Sequence, residues 1–222
     1  MNAELIDSMG DDLRVSNSAR VSFSKWRERL ILSGDPELRE SGRGDDQLIV
    51  DLAEQGHFTP FTHVMVSMRE TVPILVARQR FKHQIGFTVN EESRRYVSAR
   101  PDVWVPDTFR AKPAVRKQGS GGEHPRSTLW RQRYIRQVDG AVAEYDAMIA
   151  DGVCAEQARA VLPQGTLTSY IVTGSLFAWA RAYNLRSKAD AQLEIQGLAK
   201  RWDTIIRPLF PLSWRALVGE TA

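Results

Sequence analysis

The chain has 222 residues, 30 of them basic and 27 acidic, giving a formal net charge of +3 at pH 7, and 42% of them are hydrophobic. That is enough for a sizeable core, and too mild a charge to imply nucleic-acid binding through bulk electrostatics. No apolar run reaches the ~18 residues of a membrane span, and a single cysteine, Cys154, excludes an internal disulfide or a multi-cysteine zinc site. The polar N-terminal stretch MNAELIDSMGDD is unlike a signal peptide, so a reducing, cytoplasmic setting is expected.

Residues 1–25 alternate weakly through Leu13, Val15, Val21 and Phe23, which predicts short strands or extended segments. Arg20 falls inside the strand-like run Ala19–Phe23, where burial statistics favour a rim arginine. Residues 33–45 read as a polar loop. A helix follows from an Asp45 or Asp46 cap through Gln55, stopped at Gly56, with Leu48, Ile49 and Leu52 buried. His57–His63 is turn-like. Val64, Val66 and Met68 then alternate with Met65, Ser67 and Arg69 at the period of a strand. Thr71 reads as the cap of a helix over 73–84 with Pro73 in its first turn. Gly86 ends that helix, and the chain is extended from Asn90 to Tyr96.

Residues 101–126 hold four prolines and the run Gln118-Gly119-Ser120-Gly121-Gly122. They predict a long mobile loop; a lid or linker fits better than a phosphate cradle, because no strand–loop–helix context surrounds the glycines. A helix over 127–150 has Leu129, Tyr134, Val138, Val142, Tyr145 and Met148 on one side. A short helix over 155–162 stops at Pro163. A strand over 167–173 and amphipathic helices over 175–185 and 189–206 complete the pattern. The fold class is α+β: one mixed domain over 1–222, helix-dominated, with a small, mostly antiparallel sheet.

Chemistry concentrates in Ala77–Tyr96, which holds five basic side chains (Arg78, Arg80, Lys82, Arg94, Arg95), His83, Glu91 and Glu92. Burying such density is costly unless something pairs with it, which points to an anionic, hydrogen-bond-rich ligand such as a nucleotide. His57–His63, Ala158–Pro163 and Asn184–Glu194 likewise place arginine or histidine at the ends of regular elements, where sites sit.

Five pieces now stand in order: Ala19-Arg20-Val21-Ser22; Gly56-His57-x-Thr59-Pro60-Phe61-x-His63; Arg78-Gln79 with Lys82-His83-Gln84 and Asn90-Glu91-Glu92-Ser93-Arg94-Arg95-Tyr96; Ala158-Arg159-x-x-Leu162-Pro163; and Asn184-Leu185-Arg186 with Ala191-Gln192-x-Glu194-Ile195. Together they resemble the flavin-dependent thymidylate synthases over about residues 19–211. The resemblance implies that family's fold and its reaction, reductive methylation of dUMP to dTMP. Methylenetetrahydrofolate gives the carbon, and FAD reduced by NADPH gives the hydride. It also implies a homotetramer with shared active sites, no nucleic-acid or membrane partner, and no cysteine nucleophile. Cys154 is therefore expected to be a buried structural thiol.

Carried over residue by residue, the resemblance makes Arg186 the catalytic residue, a guanidinium beside uracil N3 that stabilises the deprotonated, enolate-like ring. The competing reading of Arg186 is a surface ion pair with Asp190 or Glu194 at helical spacing. Gln79, Lys82, Glu91, Ser93, Arg94, Arg95 and Arg159 complete the dUMP set. Arg159 also reads as a charge on a helix C-terminus. Ser93 has no evident base, so it binds rather than attacks. The flavin set is Thr59, Lys82, His83, Gln84, Ile85, Glu91, Ser175 and Arg181. His57 and His63 stay open, and no metal is expected.

The chain departs from the family pattern in several places. Lys82 and Gln84 replace the usual arginines, the spacer to Asn90 is one residue longer, and Phe87 stands where serine is common. Ser175 and Arg181 stand where asparagines are frequent. The departures bear on flavin contact more than on dUMP. The alternatives are a nucleotide-binding homologue that has lost flavin chemistry, and a basic RNA- or DNA-binding module whose affinity would fall steeply with salt.

Overall fold

The computed structural model describes residues 1–38, 42–113 and 119–220. In chain order the elements are strand β1 (Asn2–Met9), helices α1 (Asp12–Arg20) and α2 (Asp45–Glu54), strand β2 (Met65–Pro73), helix α3 (Ile74–Arg80), strand β3 (Phe87–Glu91), helices α4 (Ser127–Ala150) and α5 (Ala155–Ala158), strand β4 (Leu167–Ser175), and helices α6 (Leu176–Arg186), α7 (Leu193–Ile206) and α8 (Pro211–Val218). Short 3₁₀ turns occupy Val21–Phe23, Thr59–Thr62 and Arg159–Val161. The result is the mixed α+β fold expected from the pattern.

The four strands pair antiparallel in the order β1-β2-β4-β3. β2 and β4 pair along their whole length, from Met65 opposite Ser175 to Pro73 opposite Leu167. Their alternation has a direct consequence: Val66, Met68 and Val72 on β2, and Tyr170 and Val172 on β4, all point into the core. On the other face the hydroxyls of Ser67 and Thr173, and of Thr71 and Ser169, pair at 2.8 Å. Trp179, Trp202 and Trp214, from α6, α7 and α8, fill the core behind the sheet. Trp179 keeps its indole N–H satisfied by donating to the Val66 carbonyl at 3.1 Å.

β2 runs straight into α3, and β4 straight into α6. Because the strands are antiparallel, the two helices leave from opposite ends of the pair. The Ser175 hydroxyl starts α6 by accepting the Ala178 N–H at 3.2 Å.

Several expectations are corrected. Leu13 and Val15 are helical: Asp11 caps α1 by accepting the Arg14 N–H at 2.9 Å. The Ala19–Phe23 run is the end of α1 and a 3₁₀ turn, and it carries Arg20 onto buried Asp45 at 2.8 Å, beside Arg27 at 2.8 Å. Asp45 is thus an ion-pair partner in the first turn of α2, whose N-cap is Gly44. Thr71 lies in β2, and α3 begins after Pro73 and ends at Arg80. Pairing with β4 out-competes the helical propensity there. The second long C-terminal helix starts at Leu193, later than 189, after a turn at Lys188–Ala191. α8 was not foreseen; its N-terminus is held by buried Asp12, whose carboxylate accepts the N–H groups of Leu212 and Ser213 at 2.8 and 2.9 Å. Cys154 is exposed, not buried, because it precedes α5 on the surface. Of the glycine run, Gln118 lies outside the described residues. Among the described residues no helix is long and apolar enough to cross a membrane.

Candidate active site

The last turn of α3 and the last residue of α6 meet. Arg186, half-buried, donates from Nε to His83 Nε2 at 2.9 Å and from Nη2 to the Gln79 carbonyl at 3.5 Å. The expected alternative, an ion pair with Asp190 or Glu194, is absent: no carboxylate among the described residues lies within 4 Å of Arg186, and Glu194 is held by Arg110 instead (Nη1–Oε1 2.8 Å, Nη2–Oε2 2.9 Å). Gln79, Arg110, Leu185, Arg186, Lys188 and Gln192 line a cavity of about 610 Å³. Within this wall Gln79 Oε1 is buried without a hydrogen-bond partner. A buried orphan acceptor beside an unpaired guanidinium suits a ligand presenting both donor and acceptor edges.

His83 belongs to a second cavity, about 330 Å³, with Phe81, Gln84, Phe87, Val89 and Glu91. Burial, then the charges of Arg186, Arg80 and Arg181, push the imidazole down to about 4, so it is neutral at pH 7. Gly86 makes the turn from α3 into β3 at φ +81°. The Phe87 ring then packs against Gly174, where any Cβ would stand 2.3 Å from a ring carbon. Glu91 accepts the Thr168 hydroxyl at 2.7 Å. Lys82, Gln84 and Ile85 are exposed around this cavity, Ile85 by 76%. Ser175 is buried at the start of α6, its backbone N–H donating to the Gly86 carbonyl at 3.1 Å. Arg181 is exposed on α6, 6.0 Å from the Phe177 ring.

Arg80 was counted with the ligand-facing cations and is instead fully buried. Its guanidinium carbon lies 4.3, 4.9 and 5.0 Å from the ring centres of Phe87, Trp179 and Trp202. Its Nε stands 3.3 Å from Glu70 Oε2, which is equally buried. None of its three nitrogens makes a hydrogen bond.

Arg95 and Arg159 form a separate group at α5. Arg95 Nε lies 3.5 Å from Glu156 Oε2, and Arg159 Nε donates to the Glu156 carbonyl at 3.2 Å, the geometry of a charge on a helix C-terminus. Ser93 accepts the Arg95 N–H at 3.4 Å, and Arg94 donates to the Ala99 carbonyl at 2.8 Å. No hydrogen bond, ion pair or shared cavity joins this group to Arg186 among the described residues. Thr59 is placed elsewhere again, in a cavity of about 1440 Å³ with Arg20, Trp26, His57 and Phe58.

The family model described as "Thymidylate synthase complementing protein" matches residues 4–212. The chain belongs to that family. Among relatives, a flavin-dependent thymidylate synthase of Thermosipho africanus is 31% identical, covering 96% of this chain and 89% of its own. One from Thermus thermophilus is 33% identical, over 96% and 73%. Among solved structures, a UMP/dUMP methylase, PolB, from Streptomyces cacaoi, bound with 5-Br dUMP, has a TM-score of 0.80 at 28% identity, over 97% of this chain and 93% of that one. Family membership thus extends over all five sequence pieces. Two site neighbours escaped the sequence reading. Arg110 lay in a proline-rich stretch with no periodicity. Glu70 was the one acidic residue in the otherwise apolar inward face of β2, between Met68 and Val72, a visible but unused signal.

Proposed function

We propose that the protein is a flavin-dependent thymidylate synthase, converting dUMP to dTMP with methylenetetrahydrofolate as carbon donor and FAD, reduced by NADPH, as the hydride source. The observation that carries this is Arg186: a half-buried guanidinium with no carboxylate, held by His83 and the Gln79 carbonyl at the wall of a cavity. There it stabilises negative charge developing on a uracil carbonyl and N3. The orphan Gln79 amide oxygen accepts from the ring or sugar. Arg95 and Arg159, with Ser93, take the nucleotide phosphate, as guanidinium forks do. Lys82, Glu91 and Arg94 border the same nucleotide.

The second cavity supports flavin binding. Its apolar side, Phe81, Phe87 and Val89, suits a flat aromatic ring, and its polar side, His83, Gln84 and Glu91, supplies edge contacts. Ile85, Ser175, Arg181 and Thr59 complete the proposed flavin set. Bound FAD supplies the hydride; the chain's own residues orient the nucleotide and exclude water. The separation of Arg95 and Arg159 from Arg186 supports a homotetramer in which one protomer supplies the phosphate grip and another the uracil grip. The chain acts as one domain over 1–222, in the cytoplasm, where the single exposed thiol stays reduced.

The test is dTMP formation from dUMP with FAD, NADPH and methylenetetrahydrofolate, with UMP in parallel. Arg186→Ala should abolish product. Mixing Arg186→Ala with Arg159→Ala protomers should restore roughly a quarter of the activity if each site draws on two subunits. A flavin-free preparation that FAD does not reconstitute, and that forms no dTMP, would leave only a nucleotide-binding homologue.

A further inference from the structure

We infer that His83 is a positioning residue for Arg186: its imidazole Nε2 is the acceptor that sets the guanidinium's orientation, and the buried cation Arg80 backs that arrangement. The inference rests on the reading of the Arg186 cavity as a dUMP site.

A guanidinium has only donors, and one edge of Arg186, its Nε–H, is spent on His83 Nε2 at 2.9 Å. That bond needs a lone pair on Nε2, so the ring proton sits on Nδ1. An imidazolium would present a second cation and an N–H, and the contact would turn repulsive. The Nη2 contact to the Gln79 carbonyl, at 3.5 Å, is too long to hold the group alone. With Glu194 engaged by Arg110, no carboxylate competes for the fork. His83 therefore decides which way Nη1 and Nη2 face.

Burial first, and then the charges around His83, favour the neutral ring. Arg186 and Arg181 face it from α6 and Arg80 from α3, Lys82 precedes it in sequence, and Glu91 shares its cavity from β3. Glu91 is the only acid in that set, and its carboxylate is engaged with Thr168. Arg80 is the unusual member. Its 0% exposed charge is held by three ring faces and the Glu70 carboxylate at 3.3 Å rather than by hydrogen bonds, and the Phe87 ring it touches is itself a wall of the His83 cavity. Such a cation cannot swing out to solvent or to a ligand. It acts as a fixed positive potential behind the imidazole. The pair thereby links the two cavities, the imidazole lining one and the guanidinium it orients lining the other.

The test uses the full-length protein with its flavin bound, and the flavin content of each variant is measured by absorbance, so that a lost flavin contact is read separately. Calorimetric titration with dUMP at pH 7.5 should show His83→Ala binding about tenfold or more weaker than the parent, the loss of one hydrogen bond to a charged group. His83→Gln, which offers an amide oxygen as acceptor, should stay within about threefold of the parent. Nitrogen-15 NMR should show His83 neutral, protonated on Nδ1, down to pH 5. In Arg80→Met/Glu70→Gln, which removes both buried charges, its titration midpoint should rise, and in Arg80→Lys it should stay low. Alanine binding within twofold of the parent overturns the inference, as does a parent midpoint near that of free histidine or an unmoved midpoint in the double variant. A parent that binds no dUMP overturns the proposed function and this inference with it.

Discussion

Removing the Arg80 side chain should expose how much of the core depends on one buried charge. Glu70 is 0% exposed, and its two carboxylate oxygens accept from Tyr170 Oη at 2.5 Å and Trp202 Nε1 at 2.7 Å. Burial, and the Glu70 carboxylate beside it, raise the Tyr170 hydroxyl far above its ordinary range. In Arg80→Met the volume is largely kept, but Glu70 becomes a buried carboxylate with no counter-charge. Breaking a buried pair in this way costs about 3–5 kcal/mol, and loss of contacts to three rings adds to it within that range. With a urea slope of roughly 2–3 kcal/mol/M, the midpoint should drop by about 1–2.5 M at fixed protomer concentration. Arg80→Met/Glu70→Gln removes both charges and should recover most of the loss, because neutral groups of similar volume often replace a buried pair at little cost. Urea melts followed by tryptophan fluorescence measure this directly, since Trp179 and Trp202 flank the pair. A single variant within about 1 kcal/mol of the parent, or a double variant no better than the single, would refute the argument that charge coupling holds this region.

Three further outcomes are expected. Arg186→Ala should lower dTMP formation by at least about 10²–10³-fold with an unchanged melting curve, and Arg186→Lys should not restore it, because an ammonium lacks the planar fork; steady-state kinetics beside circular dichroism check both. Between pH 6.5 and about 4 the unfolded His83 binds a proton that the folded one refuses, so this group's contribution to stability is full above pH 6.5 and is lost as pH falls through that window; melts of His83→Gln across the range should show a shallower decline than the parent. Asp12→Ala removes the acceptor of two backbone N–H groups at the start of α8 and should cost about 1.5–3 kcal/mol, measured by urea denaturation.

Much of the fold was legible because its signals are local. The period-2 run of Val64–Arg69 and the apolar stripe of residues 127–150 dictate a strand and a helix whatever surrounds them. Leu13–Val15 was misread because the deciding signal, Asp11 capping α1, competes with a weak alternation over few residues. α8 was missed because its N-terminus depends on Asp12, 200 positions away, which no local pattern announces. In the candidate site, the motif placed Gln79, His83 and Arg186 at element ends, and the structure brings them together. It could not show that Arg80, in the same motif, turns inward: α3 ends at Arg80, and whether that side chain faces rings or solvent depends on Phe87, Trp179 and Trp202, from three other elements.

The arginines of this chain divide by what accepts from them. Arg20, Arg27, Arg110 and Arg207 each hold a carboxylate that is itself nearly buried, at 2.7–2.8 Å. The first three pin one segment to another, the end of α1 and the Arg27 segment to the start of α2 and the Arg110 segment to α7, while Arg207 braces the last turn of α7 through Asp203 four residues back. Arg159 and Arg186 are different. Among the described residues neither has a carboxylate within 4 Å, and each leans on neutral acceptors, a backbone carbonyl or an imidazole. A guanidinium so placed keeps its full attraction for an incoming anion, whereas a paired one must first give up its partner. For Arg186 the cost is visible: burial and the Arg80 charge both weaken its hold on its proton. On the proposed reading an anionic pyrimidine would relieve that cost on arrival, so this site rather than the ion pairs is expected to gain most from ligand.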